Sequence, residues 1–92
     1  MDVLFTWDPA KEVSNRRKHG VSFDEAIEAL QDALVKTVSD ERHFAQEQRF
    51  FSVGETRSGR LLTVGHTDDH DVVRIITARD ATAWERRDYE DG

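Results

Sequence analysis

The sequence contains no cysteine. Disulfides, thiolate catalysis and cysteine-bound zinc or iron–sulfur centres are therefore excluded. A single proline and five glycines leave no linker-like tract, and there is neither an internal repeat nor a low-complexity segment. No apolar run approaches the ~18 residues a membrane span needs. The start, Met1-Asp2-Val3-Leu4-Phe5, lacks the basic opening and long apolar stretch of a signal peptide, so the expected location is the cytoplasm. Basic charge is also in deficit, with 13 Lys and Arg against 19 Asp and Glu and a net charge of −6. That balance argues against nucleic-acid binding by the whole surface but leaves room for a local site. Ten of the thirteen basic residues are arginine, the side chain suited to bidentate contact with phosphate or carboxylate.

What is present is enough for one folded domain. Ninety-two residues bury roughly 60–65% of their unfolded surface, which fits one sheet with a helical layer but not two cores. Val3-Leu4-Phe5-Thr6-Trp7 reads as a short strand. Asp8 as cap and Pro9 at the first helical position open a helix that ends near His19, with Gly20 as its stop and four basic residues in its last turn. Ser22 and Glu25 form a capping box for a second helix, whose apolar stripe runs through Phe23, Ala26, Ile27, Leu30 and Leu34. Val35 to Gln48 is polar and ambiguous. Three apolar runs follow, Arg49–Glu55, Arg60–Thr67 and Val72–Arg79, separated by turns at Thr56–Gly59 and Asp68–Asp71 and read as an antiparallel meander. Thr82 and Glu85 then cap a short final helix. The expected fold is α+β in the order β-α-α-β-β-β-α, with a small antiparallel sheet, helices packed on one face, and the other face free. Trp7 and Trp84 are expected to pack between the sheet and the terminal helix.

Phe5-Thr6-Trp7-Asp8-Pro9-Ala10-Lys11, Asn15, and Lys18-His19-Gly20-Val21-Ser22-Phe23-Asp24-Glu25-Ala26 resemble the opening of the BrnT toxins. Asp40-Glu41-Arg42-His43, Glu47, Arg49, Gly54 and Gly59-Arg60-Leu61-Leu62-Thr63-Val64 are similar to that family's middle. Arg74-Ile75-Ile76-Thr77-Ala78-Arg79, Ala81-Thr82, Glu85-Arg86 and Tyr89-Glu90 are similar to its end. The resemblance covers about nine-tenths of the chain, in order. It implies a RelE-like fold and the ribonuclease toxin of a type II toxin–antitoxin pair, which stops translation. It also implies a BrnA-like antitoxin with a ribbon-helix-helix part, held with the toxin in a two-plus-two hetero-oligomer. Operator DNA is then contacted only through the antitoxin. Lys11 and Lys18 match the family opening and Arg60 its middle, and these are candidate RNA-binding residues.

Metal-independent RNA cleavage needs a base for the 2′-hydroxyl, an acid for the leaving oxygen, and cations for the charge that grows on phosphorus. His43, Glu47, Arg49, His66, Arg74 and Arg79 lie on or beside the three strands and are the catalytic candidates. Strand parity puts Arg74 with Ile76 and Ala78, and Arg79 on the opposite face with Ile75 and Thr77. His66 shares parity with Leu62 and Val64. Arg74 is either paired with Glu47 or Glu55 or free to clamp phosphate. His43 precedes Glu47 by one helical turn. His19 reads as a partner for the helix dipole. His66 and His70 span a turn rather than a helix, so no metal site is expected, and no cofactor. The acidic total also fits another class of protein, a non-catalytic binding partner or co-repressor of a basic ribbon-helix-helix protein.

Overall fold

A computed structural model describes residues 2–41 and 47–92. The elements in chain order are β1 (Leu4–Trp7), α1 (Pro9–His19), α2 (Phe23–Leu30), β2 (Lys36–Asp40), β3 (Arg49–Glu55), β4 (Leu61–Asp69), β5 (Val72–Asp80) and α3 (Ala83–Glu90). The strands form one sheet in the order β1-β5-β4-β3-β2. The fold is α+β, as the sequence implies, with three departures. The polar stretch after α2 supplies an extra strand, β2, which pairs antiparallel with β3. Its side chains are half-exposed or exposed up to the buried Asp40, so no apolar alternation announced it. β1 pairs parallel with β5; the chain leaves β1 through two helices, reaches the far edge, and returns through the meander. The turn between β4 and β5 is also tighter than Asp68–Asp71, with His70 in the left-handed region at φ 56°.

Capping chemistry sets the helices. Asp8 accepts the Ala10 N–H at 2.9 Å, and Gly20, left-handed at φ 68°, donates to the Arg16 carbonyl. Ser22 and Glu25 form the full reciprocal box, as do Thr82 and Glu85. α2 stops at Leu30 instead of continuing to Leu34. The Asp32 carboxylate draws in the Leu34 N–H at 3.0 Å and the Glu55 N–H at 2.8 Å, turning the chain toward the sheet. Leu34 is left 70% exposed. No described helix is long and apolar enough to cross a membrane.

The core lies under α2. Val21, Phe23, Ala26 and Ala29 meet Leu62, Val64, Ile75 and Ala78, and side chains the size of Phe23 or Leu62 contribute roughly 1.5–3 kcal/mol each when fully buried. Trp7 packs edge-on against Phe23 with centroids 6.0 Å apart. Gly54 lets the helix come close; a Cβ there would lie 2.0 Å from the Ala29 carbonyl oxygen. Trp84 departs from expectation and is 72% exposed. α3 has no buried residue and is attached by polar contacts. Glu85 accepts from Thr63, Asp88 pairs with Lys36, and the Tyr89 hydroxyl donates to Asp32.

One residue closes the gap left where β1 ends opposite Ile75. Asn15 is buried on α1. Its Oδ1 accepts the Ala78 N–H at 3.0 Å, and its Nδ2 donates to the Ala78 carbonyl at 2.8 Å and the Val21 carbonyl at 3.1 Å. A side-chain amide thus stands in for the next strand, satisfying backbone groups that burial would otherwise orphan.

Candidate active site

A β-bulge decides which side chains share the open face. Along β4 and β5, Thr63 pairs with Arg79, Gly65 with Thr77, His66 with Ile75, and Thr67 with Arg74, with a register shift at Gly65/His66. Ile76 is the extra residue. Directly opposed residues point to the same face, and the inserted residue reverses the parity beyond it. Arg74, Thr77 and Arg79 therefore project from one face, while Ile75 and Ala78 turn into the core. This corrects the simple alternation, which separated Arg74 from Arg79.

At one end of the open face, Asp40, Arg49, Thr67 and Arg74 occupy successive strands in register. Two strand spacings place the Arg49 and Arg74 backbones roughly 10 Å apart. Glu47 joins them; its Oε1 accepts from Arg74 at 2.7 Å and from Arg49 at 3.3 Å. Arg49 Nε is buried with no hydrogen-bond partner among the described residues. Beside this trio is a cleft of about 150 Å³ lined by Asp40, Arg49, Phe50, Phe51, Gly65, His66, Ile76 and Thr77, with the Phe50 and His66 rings belonging to the opposite side of the sheet. The Phe51 ring lies against Gly65, where a Cβ would approach it to 3.3 Å and Thr77 Cγ2 to 2.7 Å. The missing side chain thus leaves a flat floor of aromatic ring and backbone.

Arg79 stands at the other end, already engaged. Its two terminal nitrogens grip Glu85 at 2.8 and 3.0 Å. The Arg79 hydrogen bonds lead the forces that hold the Glu85 carboxyl down at about 2, against the desolvation that would raise it, with the Thr82 N–H and the Thr63 hydroxyl adding to them.

His66 faces the other way. It is buried on the helix-covered side, where Nε2 lies 2.7 Å from Ser52 Oγ and Ser52 Oγ 2.7 Å from Thr37 Oγ1. Its ring stacks on Phe50 at 5.8 Å. Burial pushes its pKa down and favours the neutral ring. Arg60 is likewise committed. Nε bonds Asp80 at 2.7 Å, and one terminal nitrogen reaches both the Gly20 carbonyl and Glu25; the Asp80 hydrogen bond raises its already high pKa. It clamps the α1–α2 turn to the end of β5. His43 lies outside the described residues.

Lys11 and Lys18 lie on one side of α1, where with Ser14, Asn15, His19, Ile76 and Thr77 they line a hollow of about 270 Å³. Among the catalytic candidates, then, the fold joins Glu47, Arg49 and Arg74, leaves Arg79 further along the same face, and turns His66 away. Phe51 and Gly65 were not singled out from sequence; an aromatic inside an apolar strand reads as core until the register puts it opposite a glycine. Among the described residues, no group of three or more His, Asp or Glu side chains is placed to hold a metal ion.

Comparison with known proteins agrees with this architecture. The structure is similar to the 1.1 Å crystal structure of the Brucella abortus ribonuclease toxin BrnT, with a TM-score of 0.68 and 20% identity, over 87% of this chain and 97% of that one. At that identity the likeness speaks for the fold. No curated protein matches the sequence. The family model described as the ribonuclease toxin BrnT of type II toxin–antitoxin systems matches residues 7–85. The chain belongs to this BrnT family of type II ribonuclease toxins.

Proposed function

We propose that the toxin cleaves RNA without a metal, on the open face of the sheet, at Glu47, Arg49 and Arg74. The observation that carries this reading is one carboxylate shared by two guanidinium groups at the mouth of a cleft. A phosphodiester entering there competes for both arginines and releases Glu47 as a base. Glu47 takes the proton of the 2′-hydroxyl, whose oxygen attacks phosphorus. The bond from phosphorus to the 5′-oxygen breaks, leaving a 2′,3′-cyclic phosphate and a 5′-hydroxyl once that oxygen gains a proton. His43 is the candidate donor of that proton. Arg49 and Arg74 hold the negative charge that builds on the phosphoryl oxygens. His66 is assigned to holding strands together and Arg79 to holding α3. Arg60 is assigned to the α1–α2 turn.

Loss of RNA stops translation in the cytoplasm, and a BrnA-like ribbon-helix-helix antitoxin neutralises the toxin in a hetero-oligomer. A net charge of −6 suits a basic DNA-binding partner, which contacts the operator on behalf of the complex. The same charge favours the second reading, a co-repressor without catalysis, and one variant separates the two. Glu47→Gln keeps the shape but removes the base. Purified wild-type toxin, with and without a chelator, is expected to cleave single-stranded RNA, and Glu47→Gln to lose roughly 10²–10⁴-fold in rate while still binding antitoxin. Undiminished cleavage by Glu47→Gln overturns the assignment; intact RNA with wild type favours the co-repressor.

A further inference from the structure

The cleft beside Arg49 and the hollow on α1 are not separate. Ile76 and Thr77, the bulge and the residue after it, line both. They form a saddle, with the Arg49–Glu47–Arg74 trio on one side and Lys11, Ser14, Lys18 and His19 on the other. No carboxylate lines the α1 hollow, in a chain where acids outnumber basic residues 19 to 13. Asp80, whose charge interacts with His19, is bound to Arg60. The lysines fall on one side of α1, seven residues or two turns apart, and Asn15 pins that side of the helix to β5. Two lysines, a histidine and a serine therefore border one concave surface.

Resting on the proposed cleavage site, the geometry points to this hollow as the subsite for a backbone phosphate next to the scissile one, in single-stranded RNA that crosses the saddle. A strand laid this way has one phosphate at Arg49 and Arg74, a base over the Phe51–Gly65 floor, and a neighbouring phosphate at Lys11, Lys18 and His19. Only an unpaired base can lie flat on that floor; in a duplex both its faces are occupied by stacking. Aromatic stacking plus a cationic track is the general means of binding single strands without reading sequence.

The test is fluorescence anisotropy with a short, uncleavable 2′-O-methyl RNA oligonucleotide, single-stranded or annealed to its complement, over a range of salt. Lys11→Gln/Lys18→Gln is compared with wild type and with Arg17→Gln, an exposed α1 residue outside the hollow. Both lysines are exposed, so the fold is expected to survive, and circular dichroism checks it. The double variant should bind the single strand about tenfold or more weakly at low salt. Its plot of log K against log salt should be shallower by about 0.7, the contribution of one phosphate contact on a single strand. Arg17→Gln should match wild type, and the duplex should bind more weakly than the single strand. Wild-type affinity in the double variant, weakened affinity with an unchanged salt slope, or equal binding of duplex and single strand overturns the subsite. A cleavage assay separates the two proposals. If wild type cleaves RNA and the double variant binds normally, the subsite falls and the nuclease reading stands. If wild type does not cleave and the variant loses binding, the nuclease reading falls and the subsite stands.

Discussion

Replacing Asn15 by alanine should cost more stability than any other truncation of a polar side chain in this fold. Its amide satisfies three backbone groups, the Ala78 N–H, the Ala78 carbonyl and the Val21 carbonyl, and also accepts the Thr77 hydroxyl at 3.1 Å. Alanine deletes every one of these bonds and leaves their partners beneath α1. An unsatisfied buried group costs about 1–3 kcal/mol. Water entering from the neighbouring hollow offsets part of that, so the expected loss for Asn15→Ala is about 3–4 kcal/mol. For a chain this size the whole stability is roughly 5–14 kcal/mol, and the melting temperature should drop by roughly 12–30 °C. Urea unfolding followed by tryptophan fluorescence and circular dichroism measures the change.

Asn15→Asp tests the direction of the bonds. It keeps the acceptor for the Ala78 N–H but turns the donating nitrogen into an oxygen facing two carbonyls. Ionisation is opposed there, so the folded-state pKa of the new carboxyl rises above its unfolded value of about 3.9. The protonated form restores a donor. The variant's deficit should therefore shrink as pH falls through that raised value and be largest above it. A loss below about 1 kcal/mol for Asn15→Ala, or a pH-independent deficit for Asn15→Asp, refutes the idea that this amide acts as a surrogate strand.

Other perturbations read other parts of the structure. In Gly54→Ala the new Cβ would meet backbone of α2 at 2.0 Å, so the helix must lift; the loss should exceed about 3 kcal/mol, whereas Gly65→Ala, which meets the movable Thr77 methyl at 2.7 Å, should cost about 1–2 kcal/mol by the same denaturant titration. Glu85 is held at about 2 in the folded state against an ordinary glutamate value of 4.5, so its contribution is complete above pH ~4.5 and fades as pH falls toward 2. Arg79 is about one-third exposed, which after screening leaves about 1–2 kcal/mol for the pair, and Glu85→Gln should flatten this part of the stability–pH curve. For His66, burial lowers the folded pKa below 6.5, so its neutral state is fully favourable above pH ~6.5 and stability declines as pH falls toward the folded value, by at most about 1.4 kcal/mol per pH unit. His66→Phe should remove that slope in thermal melts between pH 7 and 5; an unchanged slope would show that another group is responsible.

Local chemistry made much of this fold legible. The Asp8-Pro9 start, the Gly20 stop and the Ser22/Glu25 and Thr82/Glu85 boxes each satisfy backbone groups within a few residues, and such signals survive in a linear reading. β3 is also found at Arg49–Glu55 as expected. The misreadings all have distant causes. β2 exists because β3 offers an edge, and α2 ends early because Asp32 reaches the Glu55 N–H across the fold. Trp84 is exposed because α3 docks through Glu85 and Tyr89. The site was misread for one reason above all, which is that period-two parity holds only until a residue is inserted. Ile76 reverses it, placing Arg74 and Arg79 on one face although five positions apart. For His66 the parity argument did hold. It shares a face with Leu62 and Val64, and that face is the one α2 covers.

The same locality governs how an acidic protein can hold a polyanion. A net charge of −6 describes the field far from the molecule, but at physiological salt interactions between exposed charges decay over about 8 Å. What a phosphate meets on the open face is then set by neighbouring side chains and by how firmly each is already bound. Arg60 and Arg79 are tied to Asp80 and Glu85, so opening them to phosphate would first break a two-pronged ion pair. Arg49 and Arg74 share one carboxylate between them, and half a partner is the cheaper one to exchange. Asp40, beside Arg49 in the same row, adds a second carboxylate at that end, so ease of exchange and not surplus charge separates it from the Arg79 end. That ease of exchange, rather than the number of arginines on the sheet, is what supports the proposed placement of a phosphodiester at this end of the face.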